Sequence, residues 1–264
     1  MTEEHGQDGF PIGYEFLDEL ERAADTSSRT ADEFSRSSGE KLPVSLQGFG
    51  TLMSLLYRAA CCFWGCRGGN HQIEWLTGRV VNEAMSSYRL IRAAYYDESL
   101  MLTRGIGEIA NLFWLFNTND DEVEAWRSAT RQERIRRFGP AGVRRRLEEL
   151  NELVPIDRER YQRLCEVGTH PTPGFAPGHY SGSGRPVLGV LLQPVGVYVG
   201  VTELCYATAM SALGCARLLD LTDERKKQIM QEALDLIHSL GAFNVLNYEE
   251  LLQQMLDRNL GSDL

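Results

Sequence analysis

The feature that most limits the fold of this chain is the helical spacing of its apolar residues, because alternating β-branched segments are nearly absent. Between residues 70 and 96, apolar side chains recur at intervals of three and four, which places them on one face of a helix. They are Ile73, Leu76, Val80, Ala84, Tyr88, Ile91 and Tyr95. Residues 99–116 are apolar nearly all round, as is typical of a buried central helix. We therefore predict an all-α fold, a multi-helix bundle.

The first 40 residues differ in charge from the rest of the chain, since they hold eleven acidic residues against three arginines. Their pattern predicts a helix over residues 14–24, followed by a polar, serine-rich joint. We interpret residues 1–40 as an acidic N-terminal helical arm and residues 41–264 as an all-α bundle domain. The 264 residues allow one large domain or two small ones at roughly 100–200 residues per domain.

The remaining elements are also predicted to be helical. Further helices are predicted over residues 45–65, 120–138, 142–153, 156–167 and 247–260. Thr222 is expected to cap another helix, which ends at Gly241. Residues 169–186 hold four of the nine prolines, so this stretch predicts a long loop that is either functional or disordered.

The sequence carries few signs of export, membrane insertion or metal binding. The N-terminal residues lack the pattern of a signal peptide, and glycines, Gln193 and Pro194 interrupt the most apolar stretch, residues 187–202. Six cysteines in a chain of this length are interpreted as reduced, buried thiols in the cytoplasm. Neither Cys61-Cys62-x3-Cys66 nor His71-x-x-Glu74 has the partner ligands that a metal site needs, so we predict no metal and no cofactor.

Two charged residues and an amide share one face of the apolar segment 99–116. Arg104 and Glu108 are four residues apart, and Asn111 follows three residues later. Because an isolated charge is costly to bury, these side chains must be paired or hydrogen-bonded. Two interpretations remain open here, an internal ion pair that fixes the position of the helix and a polar floor beneath an active site.

A second feature is a concentration of arginine on an acidic chain. The net charge of −10 excludes a uniformly basic nucleic-acid-binding protein, yet eight arginines and one acid give residues 127–146 a net charge of +7. This stretch predicts either a surface for RNA phosphates or a solvated face balanced by the acidic arm or by Glu148 and Glu149. The candidate RNA-binding residues are Arg127, Arg131, Arg134, Arg137, Arg144 and Arg145.

The third feature is a histidine beyond the predicted end of the 156–167 helix. His170 stands just after Gly168, and Arg163 lies about two turns earlier. On a helical wheel Arg163 is far from the apolar face of its own helix, so we expect it to point toward solvent or a partner surface.

Together these motifs resemble the HEPN-like superfamily, in particular its bacterial abortive-infection-type branches. The similar features are an R-x-x-x-E motif on a central apolar helix, Arg104–Glu108, and an arginine followed after six residues by His-Pro, Arg163–His170. A charged helical segment separates the two motifs. The resemblance covers about residues 70–220, and it implies a HEPN-like arrangement of the bundle.

The resemblance implies a metal-independent endoribonuclease whose cleft forms between two copies of the chain. His170 would act as general base or acid on the RNA 2′-hydroxyl, Arg163 would stabilise charge on the phosphate, and Arg104 and Glu108 would position them. Such a protein would be a toxin or an anti-phage defence effector in the cytoplasm. The alternative is a non-catalytic helical interaction protein, which dimerises or docks on a sensor or an antitoxin.

Overall fold

The computed structural model of the chain describes residues 10–65, 71–119, 121–169 and 191–241. Within these ranges the regular elements are ten α-helices, which confirms the predicted all-α bundle. The helices are α1 (Gly13–Ser37), α2 (Lys41–Ala60), α3 (Gln72–Arg92), α4 (Tyr96–Phe116), α5 (Asp121–Ser128), α6 (Arg131–Arg137), α7 (Pro140–Glu149), α8 (Arg158–Gly168), α9 (Pro194–Leu218) and α10 (Asp223–Leu240).

The centre of the bundle is the contact between α4 and α9, which α2, α3 and α10 surround. Small residues of α9 allow this close approach. A Cβ at Gly214 would lie 2.8 Å from the Phe113 Cβ, and a Cβ at Gly200 would lie 2.9 Å from Ile91 Cγ1. Gly200 and Gly214 therefore admit neighbouring helices that a larger side chain would push away.

Helix α9 is long and apolar enough to span a membrane, and it is the one such helix in the described ranges. Helix α9 reaches this length because it continues beyond the interrupted stretch 187–202 to Leu218. Inside the protein, 89% of its most apolar window is buried, as in the core helix of a soluble protein. The absence of a membrane partner stays a prediction from the sequence.

The N-terminal helix is longer than predicted, because the serine-rich joint expected after residue 24 is helical. Hydroxyl groups in this segment donate to backbone carbonyls of the same helix, as Thr26 does to Arg22 and Thr30 does to Thr26. Asp32 forms an ion pair of 2.6 Å with Arg92 at the end of α3. Packing against α3 and α2 thus holds the whole segment in one helix.

Several predicted helix boundaries are confirmed and others are wrong. The apolar stripe of α3 faces the core, and Thr222 caps α10 by accepting a hydrogen bond from the Arg225 backbone. The single helix expected over residues 120–138 is two helices, because Thr130 and Glu133 form a capping box that begins α6. Asp157 likewise caps α8, so this helix begins at Arg158 rather than at residue 156.

The cysteines follow the prediction only in part. Cys165, Cys205 and Cys215 are buried free thiols, and burial raises the pKa of Cys215 to about 12. Cys61 is exposed, because it caps the C-terminal end of α2 at the surface, so the interpretation as a buried thiol is wrong there. Cys66, the greater part of the 169–186 loop and the helix expected over 247–260 lie outside the described residues.

Candidate functional site

Arg104 and Glu108 lie together where α4 passes α8, and they form an ion pair with 3.5 Å between Arg104 Nε and Glu108 Oε1. The Tyr161 hydroxyl of α8 donates to the same carboxylate oxygen over 3.1 Å. Arg104 Nη1 lies 3.6 Å from Cys165 Sγ, also on α8. The prediction that the two charged residues share one helix face is correct, and their partners fix α8 against α4.

Tyr161 is the centre of this cluster, because two guanidinium groups lie close to its ring. The Cζ atoms of Arg144 and Arg104 are 4.1 Å and 5.8 Å from the ring centroid, within the range of cation–π contact. Burial and the negative charge of Glu108 raise the pKa of Tyr161 to about 12. The phenol therefore stays protonated at neutral pH and keeps its hydrogen bond to Glu108.

Asn111 does not join this cluster, although it lies on the same helix. Its side chain is buried and pairs with both backbone groups of Ile156, donating to the carbonyl over 2.8 Å and accepting from the N–H over 2.9 Å. The amide thus fixes the segment between α7 and α8. Of the two interpretations left open by the sequence, these hydrogen bonds favour the structural one for Asn111, because the buried Ile156 backbone needs partners.

Arg163 was expected to point toward solvent or a partner surface, and its side chain is half-buried in the fold. The side chain is only 24% exposed, and its Nη1 lies 2.7 Å from Glu159 Oε1, one turn earlier on α8. His170 lies outside the described residues, so the pairing of Arg163 with His170 stays a prediction.

An ion pair that the sequence reasoning missed connects α8 to α9. Arg160 Nε lies 2.7 Å from Glu203 Oε2, and the two side chains are 14% and 1% exposed. The Arg160 guanidinium also stacks 3.7 Å from the centroid of the Tyr206 ring. The available signal was Glu203 itself, because a lone carboxylate in an apolar helix requires a buried partner.

The arginine surface, defined here as Arg131, Arg134 and Arg136 of α6 with Arg145 and Arg146 of α7, lies at the edge of the bundle. Helix α6 packs mainly on α7, and all five side chains are exposed. The side chains of three of the four arginines of α6, namely Arg131, Arg134 and Arg136, make no hydrogen bond or ion pair with any residue that the structure describes. Their charge is therefore open to an external ligand.

Arg127 of α5 and Arg137, the last residue of α6, are paired with acidic residues of α5. Arg127 lies 2.7 Å from Glu124, and Arg137 lies 2.9 Å from Glu122, whose side chain is buried. Hydrogen bonding from Arg127 lowers the pKa of Glu124, so this pair is charged at neutral pH. These predicted RNA-binding residues are thus already partly neutralised within the fold.

The α7 arginines have weaker or different partners. Arg145 and Arg146 lie 4.0 Å and 3.5 Å from Glu149, and Arg144 contacts Tyr161 instead of facing solvent. Of the two acidic partners that the sequence offered, Glu149 makes these contacts, whereas the described part of the acidic arm lies against α2 and α3. The cationic stretch is therefore strongest at α6.

A cleft of about 210 Å³ opens between α3, α4 and the junction of α6 with α7. Its apolar lining consists of Leu76, Ile109, Leu112, Phe138, Pro140 and Val143. Arg79 and Glu108 add charged groups from facing helices. Gly105 lets Glu83 approach, because a Cβ there would lie 2.7 Å from Glu83 Oε2. Since Phe138 directly follows α6, the cleft adjoins the arginine surface.

No group of three or more potential metal ligands occurs within the described ranges. His71 Nδ1 lies 3.8 Å from Cys62 Sγ, which is one contact rather than a ligand set. No protein-family model, no curated protein and no solved structure matches the chain significantly. What the fold and the site define is an all-α bundle with an exposed arginine surface and an adjoining cleft.

Proposed function

We propose that this protein acts on RNA, which it binds at the arginine surface and cleaves as a metal-independent endoribonuclease of the HEPN type. The observation that supports binding is the set of exposed, unpaired guanidinium groups on α6 of an acidic protein. A planar guanidinium matches phosphate geometry in a bidentate way. Neighbouring like charges at the edge of a fold are stabilised when an anionic ligand neutralises them.

The proposed cleavage uses His170 and Arg163, as the resemblance in the sequence implies. His170 would take the proton of the RNA 2′-hydroxyl, and the oxygen would attack the adjacent phosphorus. The P–O5′ bond would break as the protonated His170 of either copy gives a proton to the leaving 5′-oxygen, so that the products are a 2′,3′-cyclic phosphate and a 5′-hydroxyl. Arg163 would stabilise the charge on the phosphate in this step.

The present partner of Arg163 is compatible with this role. Glu159 is 80% exposed, and the pair lies on one helix at a separation of four residues. Because the Glu159 carboxylate is largely in water, it could turn away from Arg163 when a phosphate binds, while Arg104, Glu108 and Tyr161 keep α8 in place.

Cleavage is tested by incubating the protein with labelled RNA in EDTA. We expect cleavage by the wild type, and a rate at least about 100-fold lower in His170→Ala, because acid–base catalysis contributes a factor of that order. Arg163→Ala should lose a similar factor. The control is His238→Ala, which removes a histidine from the last turn of α10. Cleavage that persists in His170→Ala with its fold intact would contradict the mechanism.

Binding is tested separately by fluorescence anisotropy with a single-stranded RNA at several salt concentrations. Replacing Arg131, Arg134 and Arg136 by Gln should weaken binding and reduce the slope of log K against log salt by about 2, since each phosphate contact contributes about 0.7. The matched control replaces Arg22, Arg29 and Arg36 of α1 by Gln, with the same loss of charge. Equal weakening by both triple variants would show that binding is not located at α6.

A second candidate function is a non-catalytic helical interaction protein. The observation that favours it is that Arg104, Glu108 and Arg163 all have partners within the chain. A folded wild type that binds RNA with the expected salt dependence but never cleaves it would favour this alternative. An intact dimer by sedimentation is required by the nuclease mechanism and is compatible with both functions.

The cellular role is tested by expression in bacteria. A toxin or defence effector of this kind should arrest growth when it is expressed, whereas His170→Ala at the same level should not. Rescue by a separately expressed gene would identify an antitoxin or a sensor as the partner.

A further inference from the structure

We propose that the cleft between α3, α4 and the α6–α7 junction binds a single guanine base of the RNA. This inference rests on the proposed function, since the arginine surface would hold the phosphates on either side of that base. It adds a specificity that the charge of the surface alone does not provide, because phosphate contacts carry no base information.

The size and lining of the cleft suit one base. Its volume of about 210 Å³ is below the roughly 300–1,000 Å³ of pockets that enclose drug-sized ligands, so it fits a smaller planar group. Leu76 of α3, Leu112 of α4 and Phe138 beside α6 give it apolar walls. Single-stranded RNA commonly presents unstacked bases to such surfaces, where they gain apolar contact and hydrogen bonds.

Glu108 provides the hydrogen-bond acceptor in the cleft. Its Oε1 already accepts from Tyr161 and lies near Arg104, which fixes the direction of the carboxylate. Its Oε2 makes no hydrogen bond with the described residues, and the side chain is 31% exposed. A preorganised carboxylate with a free oxygen favours a ligand that presents N–H groups.

Arg79 provides the donor from the facing helix. Its Nε bonds to Glu83 Oε1 over 2.7 Å, which anchors the guanidinium at the mouth of the cleft, and its side chain is 68% exposed. Guanine presents N1–H and N2–H groups that suit Glu108, and O6 and N7 acceptors that suit arginine. Adenine and cytosine offer one amino group, and uracil places carbonyls beside its single N–H, so guanine matches both residues best.

The position of the cleft connects it to the arginine surface. Phe138 directly follows α6 and Pro140 begins α7, and both line the cleft. The cleft therefore lies next to the C-terminal end of α6, the helix that carries most of the arginine surface.

The test compares RNA octamers that differ at one position. Each is oligouridine with G, A, C or U at the centre, and each carries 2′-fluoro sugars, which prevent cleavage by 2′-hydroxyl attack. We expect the guanine octamer to bind the wild type about tenfold more tightly than the uridine octamer, a factor typical of one good base contact. Glu108→Gln should abolish most of this preference, because the amide keeps the acceptor for Tyr161 but replaces the free oxygen with a donor.

Two further variants keep the test decisive. Leu76→Trp should fill the cleft from a half-buried position and remove the guanine preference without altering Glu108. Glu98→Gln, an exposed position on the same helix with the same change of charge, should keep the preference. Equal binding of all four octamers by the wild type would overturn the guanine slot and leave the arginine surface supported. Failure to bind any octamer would overturn both proposals.

Discussion

The charged residues that join α8 to α9 and those of α6 occupy opposite environments. Arg160 and Glu203 are enclosed by the bundle and bonded to each other, whereas Arg131 and Arg134 are exposed and have no partner in the described chain. A buried charge is tolerated only with a partner, so the fold itself uses it. An exposed charge has no such requirement and remains available to a ligand. The position of an arginine in the fold, buried or exposed, therefore separates structural from functional roles.

The largest effect expected from this comparison is on the buried pair. Glu203→Ala should lower the free energy of unfolding by about 3–5 kcal/mol, because it removes the buried carboxylate that balances the charge of Arg160. Chemical denaturation monitored by circular dichroism measures this loss. The double variant Arg160→Met/Glu203→Leu should recover most of the stability, since apolar side chains need no partner. A loss below about 1 kcal/mol in Glu203→Ala would show that water reaches the pair.

A smaller effect is expected at two glycines of α4 that face the core and the cleft. A Cβ at Gly107 would lie 2.6 Å from Ile156 Cγ1 in the fully buried core, so Gly107→Ala should cost about 1–3 kcal/mol by overpacking. Gly105→Ala meets only the movable carboxylate of Glu83, and alanine gains about 1 kcal/mol of helix propensity. Its stability should therefore change little. Equal losses in thermal or chemical unfolding would contradict this difference between core and cleft.

The smallest effect is expected at the arginine surface. Replacing Arg131, Arg134 and Arg136 by Gln should change the free energy of unfolding by no more than about 0.5 kcal/mol, as is usual for exposed positions without partners. The same triple variant should lose RNA affinity, so stability and binding separate in one protein. A clear destabilisation, measured as a shift of the denaturation midpoint, would mean that these arginines have contacts within the fold.

Much of the helical architecture could be predicted from local patterns. The apolar stripe of α3 and the Thr222 cap of α10 depend on residues close together in the chain, so the spacing of those residues was sufficient to predict both. Helix α1 was predicted too short. Its serine-rich part has the composition of a joint, but it is helical in the fold, where α1 packs against α3. The break before α6 was missed, although Thr130 and Glu133 carry the capping pattern three residues apart.

The candidate site was predictable to a lesser degree. The pairing of Arg104 with Glu108 followed from their spacing on one helix. The partner of Glu203 could not be predicted from spacing, because Arg160 is 43 residues away and meets Glu203 only when α8 packs on α9. The contact of Arg144 with the Tyr161 ring was likewise not predicted, because it joins α7 to α8 only after the two helices pack together.

By itself the sequence determined the helical class of the fold, the apolar face of α3 and the concentration of arginine between residues 127 and 146, because these properties depend on residue type and near-neighbour spacing. Only the tertiary structure decided which arginines are neutralised, where Asn111 and Glu203 find their partners, and that a cleft opens beside α6. Those outcomes depend on distances between residues far apart in the chain, and such distances are set when the helices pack.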